Sequence, residues 1–123
     1  MDIMFKSTRG DKNYVTASQA IVQGIANDGG LFVPETIPTI DFPLEKITEM
    51  SYQELAYEVL KLILTDYTEE ELKYCINSAY DEKFDTKLIA PLVSAGNGNF
   101  LELFHGKTIA FKDMALSILP YLL

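Results

Sequence analysis

Three copies of one short pattern constrain this chain more than anything else in it. A Ser or Thr is followed three residues later by Gln or Glu at Thr16 and Gln19, at Ser51 and Glu54, and at Thr68 and Glu71. In such a pair the hydroxyl accepts from the amide three residues on. The Gln or Glu side chain accepts from the amide of the cap residue in return, so two orphaned backbone donors are satisfied where a helix begins. Behind each pair runs an apolar series at helical spacing: Ala17, Ala20, Ile21, Gly24 and Ile25; then Tyr52, Leu55, Ala56, Val59, Leu60 and Ile63; then Leu72, Cys75, Ile76, Ala79 and Tyr80. Each series draws one stripe along a helix, suited to packing against a neighbour.

Between the helices the sequence predicts shorter pieces. Ile3 to Ser7 reads as an opening strand. Asn27-Asp28-Gly29-Gly30 is a tight turn, and Leu31-Phe32-Val33 a strand stopped by Pro34. Pro34 to Pro43 is an extended connector, and Leu44 to Met50 one short helix. After about Asp85 the character changes. Leu88 to Val93 is apolar and β-leaning, Ser94 to Asn99 is a turn, and Phe100 to Phe104 reads as a strand. The spacing of Gly96-Asn97-Gly98-Asn99 matches no phosphate-loop motif, so a hairpin turn is preferred to an anion cradle. Phe111, Ala115, Ile118, Leu119 and Leu122 then fall at helical spacing. Strand, loop and helix in that order open an α/β unit, so the fold class is α/β, mixed α+β within this stretch. The last helix reaches Leu123 with no glycine or polar cap, and the chain reads as cut there.

Charge and composition remove several function classes. A net charge of −8 and a pI of about 4.5, with no basic stripe, argue against nucleic-acid binding. The first ten residues hold Lys6 and Arg9 and lack a signal-peptide apolar core. The longest apolar run, Ser117 to Leu123, is far below a membrane span. A cytoplasmic protein is the default expectation. The one cysteine, Cys75, has no internal disulfide partner and lies on the third stripe, as a core residue would. With His105 the only histidine, no metal site is expected.

Among the titratable residues Lys112 stands apart. It follows Ile109-Ala110-Phe111 and begins an apolar helix, with Asp113 beside it. Apolar surroundings disfavour an ammonium, and a neutral amine is what Schiff-base chemistry with an aldehyde cofactor needs. A solvated lysine at a helix start is the commoner account of such a position. His105 reads as an acid, a base or a pocket wall, though a lone loop histidine is more often structural. Asp81, Glu82 and Asp85 read as a solvated loop. Arg9 is either the surface end of a strand or a contact for a substrate anion.

The run Glu102-Leu103-Phe104-His105-Gly106-Lys107-Thr108-Ile109-Ala110-Phe111-Lys112-Asp113 resembles the cofactor-lysine segment of threonine synthases, E-L-F-H-G-P-T-x-A-F-K-D. Roughly eighty residues upstream, Ser7-Thr8-Arg9-Gly10 and Gln23 to Pro34 resemble that family's amino-terminal signature. Two separated motifs in the right order make the match specific. Lys107 stands where the family commonly has proline, which removes loop rigidity and bears on substrate affinity. Met114 replaces a residue that is often aromatic. The resemblance implies a small helix-rich amino-terminal domain over residues 1–84. Residues 85–123 would be the first strand, loop and helix of a type II pyridoxal-phosphate fold. It implies a lyase of threonine biosynthesis that converts O-phospho-L-homoserine and water to L-threonine and phosphate. Lys112 would form the Schiff base with pyridoxal 5'-phosphate, with His105, Thr108, Phe111 and Asp113 as candidate pocket neighbours. The family places the cofactor's phosphate loop and pyridine-nitrogen partner later in the chain, so these 123 residues alone are expected to be inactive, with Lys112 exposed. The remainder of the catalytic domain is the implied partner, and self-association through the last apolar helix is expected without it. Two rivals stand beside this reading. One is another type II pyridoxal-phosphate lyase of the dehydratase kind, which usually sets its lysine in S-x-K-x-R. The other is a non-catalytic helical interaction module.

Overall fold

The computed structural model describes residues 2–123. All three capping boxes form. Strand β1 (Phe5–Ser7) leads to helix α1 (Ala17–Gln23), capped by Thr16 and Gln19. Strand β2 (Phe32–Pro34) pairs antiparallel with β1, placing Lys6 opposite Val33. A 3₁₀ turn over Leu44–Glu49 precedes α2 (Tyr52–Leu60), capped by Ser51 and Glu54, and α3 (Glu69–Ala79), capped by Thr68 and Glu71. Strands β3 (Leu92–Ala95) and β4 (Gly98–Leu101) make a hairpin around Gly96 and Asn97. Two short helices follow, α4 (Asp113–Leu116) and α5 (Leu119–Leu122).

Helix α3 is the spine. Its entire stripe is buried: Leu72, Cys75, Ile76 and Ala79, with Tyr80 just beyond. The start of the stripe, Leu72, joins Phe5, Ala17, Ala20 and Leu64, and the rest of it, from Cys75 on, joins Phe84, Ile89 and Ile118. Tyr57, Leu60 and Leu122 pack against both clusters and bind them into one core. Each large aliphatic side chain taken from water here contributes about 1.5–3 kcal/mol. Burial also raises the pKa of the Cys75 thiol, which keeps it an inert core group.

Several expectations need correction. The first stripe overshoots: α1 ends at the Gly24 cap, and Ile25 lies exposed beyond it. The predicted strand over Leu88 to Val93 begins only at Leu92, because Ile89 turns with φ 60° to bury its side chain under α3. The predicted strand over Phe100 to Phe104 ends at Leu101. The single helix predicted after Thr108 is two. Pro120 has no N–H to give the Leu116 carbonyl, so the ladder breaks near Ser117 and restarts with the proline in the first turn of α5.

Candidate active site

Lys112 is the cap residue of α4, in helical backbone (φ −60°, ψ −23°), and its side chain is exposed. Its carbonyl accepts from both Ala115 and Leu116, at 3.0 and 2.9 Å. Among the described residues its amine enters no ion pair. The apolar surroundings read from Ile109 and Phe111 do not desolvate it, since those side chains are themselves 72% and 66% exposed.

The neighbouring Asp113 does the reverse of its surface neighbours. It is 7% exposed and turned back into the preceding loop. The Thr108 N–H donates to Asp113 Oδ2 at 2.8 Å, and the Thr108 hydroxyl donates to Asp113 Oδ1 at 2.7 Å. Gly106 is needed beneath this contact: a Cβ there would stand 2.6 Å from both Asp113 Cβ and Oδ2. The loop between also carries Ile109 at φ 63°, a costly conformation for a β-branched residue, so the surrounding bonds must hold it.

The His105 ring bonds to neither Thr108 nor Asp113. Its Nδ1 meets Asp85 Oδ1 at 2.5 Å and its Nε2 meets Glu102 Oε2 at 2.7 Å. A neutral imidazole has one N–H, so only the protonated ring donates to both. The two carboxylates, Glu102 first, raise its pKa accordingly. The His105 carbonyl also accepts from the Asp85 amide at 3.0 Å, and the Phe104 ring stacks on the imidazole at 4.5 Å. Asp85 was read from sequence as a solvated loop residue. It lies twenty positions away, and nothing local announces the pairing.

The segment bearing Lys112 is tied to the helical body by side chains that reach its backbone carbonyls. Tyr80 OH donates to the Met114 carbonyl at 2.6 Å, Tyr67 OH to Leu122 at 2.7 Å, and Cys75 Sγ approaches that of Tyr121 at 3.1 Å. Phe111 points to solvent, as does Lys107. Arg9 is exposed and donates to the Asp28 carbonyl at 3.2 Å. The Asp28 carboxylate accepts from Ser7 Oγ, Gly30 N and Asp11 N, and the Ser7 bond leads in holding its pKa below the usual range. This turn is a structural knot. A groove of about 430 Å³ between α2 and α3, lined by Met50, Tyr57, Lys73 and Ile76 among others, includes none of the candidate site residues Lys112, His105, Thr108, Phe111 and Asp113.

To an aldehyde cofactor these residues offer an accessible amine on a locked backbone, with its adjacent carboxylate bonded elsewhere. In that respect Lys112 and its loop fit pyridoxal phosphate. A family model described as the threonine synthase N terminus matches residues 4–80. A threonine synthase of Schizosaccharomyces pombe is 40% identical over 121 residues, which take in 95% of this chain and 23% of that protein. The crystal structure of a yeast threonine synthase superposes with a TM-score of 0.88 at 35% identity, covering 98% of this chain and 26% of that one. A pyridoxal-phosphate-bound threonine synthase from Brucella melitensis superposes with a TM-score of 0.86 at 34% identity, again over 98% of this chain and 26% of its own. The chain thus spans about a quarter of the length of these relatives.

Proposed function

The chain belongs to the family of the threonine synthase N terminus, and from that premise we propose that it is the front part of a pyridoxal-phosphate-dependent threonine synthase, with Lys112 as the lysine that holds the cofactor. The observation that carries this reading is the state of Lys112. Its backbone is locked in the first turn of α4, and its amine is exposed and free of any ion pair among the described residues.

The substrate is O-phospho-L-homoserine, and with water it yields L-threonine and phosphate. Bound pyridoxal phosphate supplies the electron sink that makes carbanion chemistry accessible. Lys112 Nζ binds it and, when released, is the group able to take up or return a proton. Thr108 and Asp113 hold the loop that presents Lys112. His105 fastens the start of that loop to Glu102 and Asp85.

Residues 1–84 form the amino-terminal domain in this reading, and 85–123 open the cofactor domain. The end of the family match at residue 80 supports that division. The groups for the cofactor's phosphate and ring nitrogen belong to the remainder of the catalytic domain, so the 123 residues alone make no threonine. The exposure of Leu92, Phe100, Phe111, Leu116 and Leu123 supports a covering partner of that kind. Without it, the chain associates with itself through this surface, visible as a size that falls on dilution. The setting is cytoplasmic. No helix among the described residues is long and apolar enough to cross a membrane.

The complete parent protein, given O-phospho-L-homoserine, tests the assignment. Threonine and phosphate should form together, and Lys112→Ala should abolish both. Undiminished turnover by that variant would remove Lys112 from the chemistry.

A further inference from the structure

A lysine that must attack an aldehyde needs its backbone held in one place and its amine kept from a permanent counter-ion. The nearest carboxylate in sequence is the obvious threat, because an ion pair with it would hold the amine protonated. In this chain that carboxylate is Asp113, and it is bound on both oxygens by Thr108, at 2.8 Å from N and 2.7 Å from Oγ1. The contact is only as close as the bare Cα of Gly106 allows. It closes a loop whose strained member is Ile109, at φ 63°. The loop also closes on itself through Ile109 N to the Gly106 carbonyl at 3.1 Å and Asp113 N to the Ala110 carbonyl at 3.1 Å.

We propose that Asp113 is the positioning residue of Lys112: through Thr108 it locks the Gly106–Phe111 loop against the start of α4, and the same two bonds keep its carboxylate off the lysine amine. The proposal rests on Lys112 as the cofactor lysine and adds a residue that acts through it. Asp113 has a geometric task that it performs with both carboxylate oxygens. Asn at this position can accept from the Thr108 N–H through its oxygen and donate from its NH₂ to the Thr108 hydroxyl, so it retains the shape and both bonds and loses only the negative charge. Thr108→Val keeps the loop's volume and removes only the hydroxyl, leaving one carboxylate oxygen free to turn towards Lys112.

The test uses the complete parent protein freed of cofactor. The rate at which added pyridoxal phosphate becomes borohydride-trappable on Lys112 is followed from pH 6 to 10, alongside the thermal midpoint. Asp113→Ala should slow trapping about tenfold or more at neutral pH, the scale expected when a reacting group is held out of place. Asp113→Asn, which can keep both bonds to Thr108, should recover most of that loss. Thr108→Val should fold normally and shift the pH profile of trapping upward, as a newly paired amine would. Variants that change the thermal midpoint but trap with the wild-type rate and pH profile would reduce Asp113 to a structural residue and overturn the proposal. Should Asp113→Ala not fold, the Thr108→Val profile decides alone, an unshifted profile counting against the proposal. If the wild-type protein itself is not labelled at Lys112, the assignment of the lysine has failed. Normal wild-type labelling with indifferent variants sinks only the role of Asp113.

Discussion

The helical body and the segment after Leu88 are stabilised by different means. In the body each helix starts with a reciprocal cap, and α3 buries its whole stripe against two adjoining apolar clusters. After Leu88 large apolar side chains face solvent: Leu92 is 68% exposed, Leu101 59% and Ile109 72%. Ile89 and Ile118 anchor this segment in the core, and around these anchors it is ordered by polar contacts, namely the Thr108–Asp113 clamp, the His105 clasp and the side-chain bonds to the backbone of α4 and α5. The body is a packed platform, and the lysine loop is laid on it by directed bonds. Packing is insensitive to direction. A group meant to present an amine at one angle is better fixed by hydrogen bonds, whose geometry is narrow.

Truncating the platform should have the largest effect. Ile76→Ala removes a side chain that is 1% exposed at the junction of α3 with the lysine-bearing segment. It should cost about 2–5 kcal/mol in a urea melt. A loss comparable to a surface substitution would mean that α3 is not the spine. Next comes the cap of that helix. Thr68→Ala removes an acceptor for the Glu71 amide and should cost about 1 kcal/mol. The same melt reads it.

The clasp should respond to pH and leave the platform alone. Glu102 and Asp85 raise the His105 pKa above its ordinary 6.5. The stabilisation it brings is therefore complete below about 6.5 and fades as pH rises through the raised value. Hydrogen exchange of the 102–106 amides should quicken over that upward interval. His105→Gln should make exchange there fast at every pH, with α3 unaffected. A clasp that tightened with rising pH would contradict the arrangement. The smallest effect belongs to the hairpin, where Leu92→Ala should change stability by no more than about 0.5 kcal/mol. A large loss there would show that the hairpin is part of the platform after all.

The same contrast decided what was legible in the sequence. Capping boxes and stripes are local, spaced by three and four: all three boxes are legible, as is the buried stripe of α3 with Cys75 and Tyr80, whereas the first stripe runs past the Gly24 cap and the second is only partly buried. The turn at Gly96-Asn97 was readable as a hairpin for the same reason. Pro120 was in plain view, and reading the spacing of Ile118, Leu119 and Leu122 without it joined two helices into one. The left-handed turns of Ile89 and Ile109 follow from what their neighbours demand, and β-branched residues announce the opposite. At the proposed site, Lys112 is singled out by motif. Its seat is not, because a carboxylate beside a lysine invites an ion pair, and only the backbone path shows Asp113 turned towards Thr108. The partners of His105 lie three and twenty residues away, a pairing no local pattern encodes.

The most direct test of the account is to reduce the complete parent protein with borohydride in the presence of pyridoxal phosphate and map the labelled peptide. A single pyridoxyl group is expected, on Lys112, within the peptide that runs through Ile109-Ala110-Phe111. A label on any other lysine, or none, would contradict it and leave a helical platform whose exposed apolar segment serves binding alone.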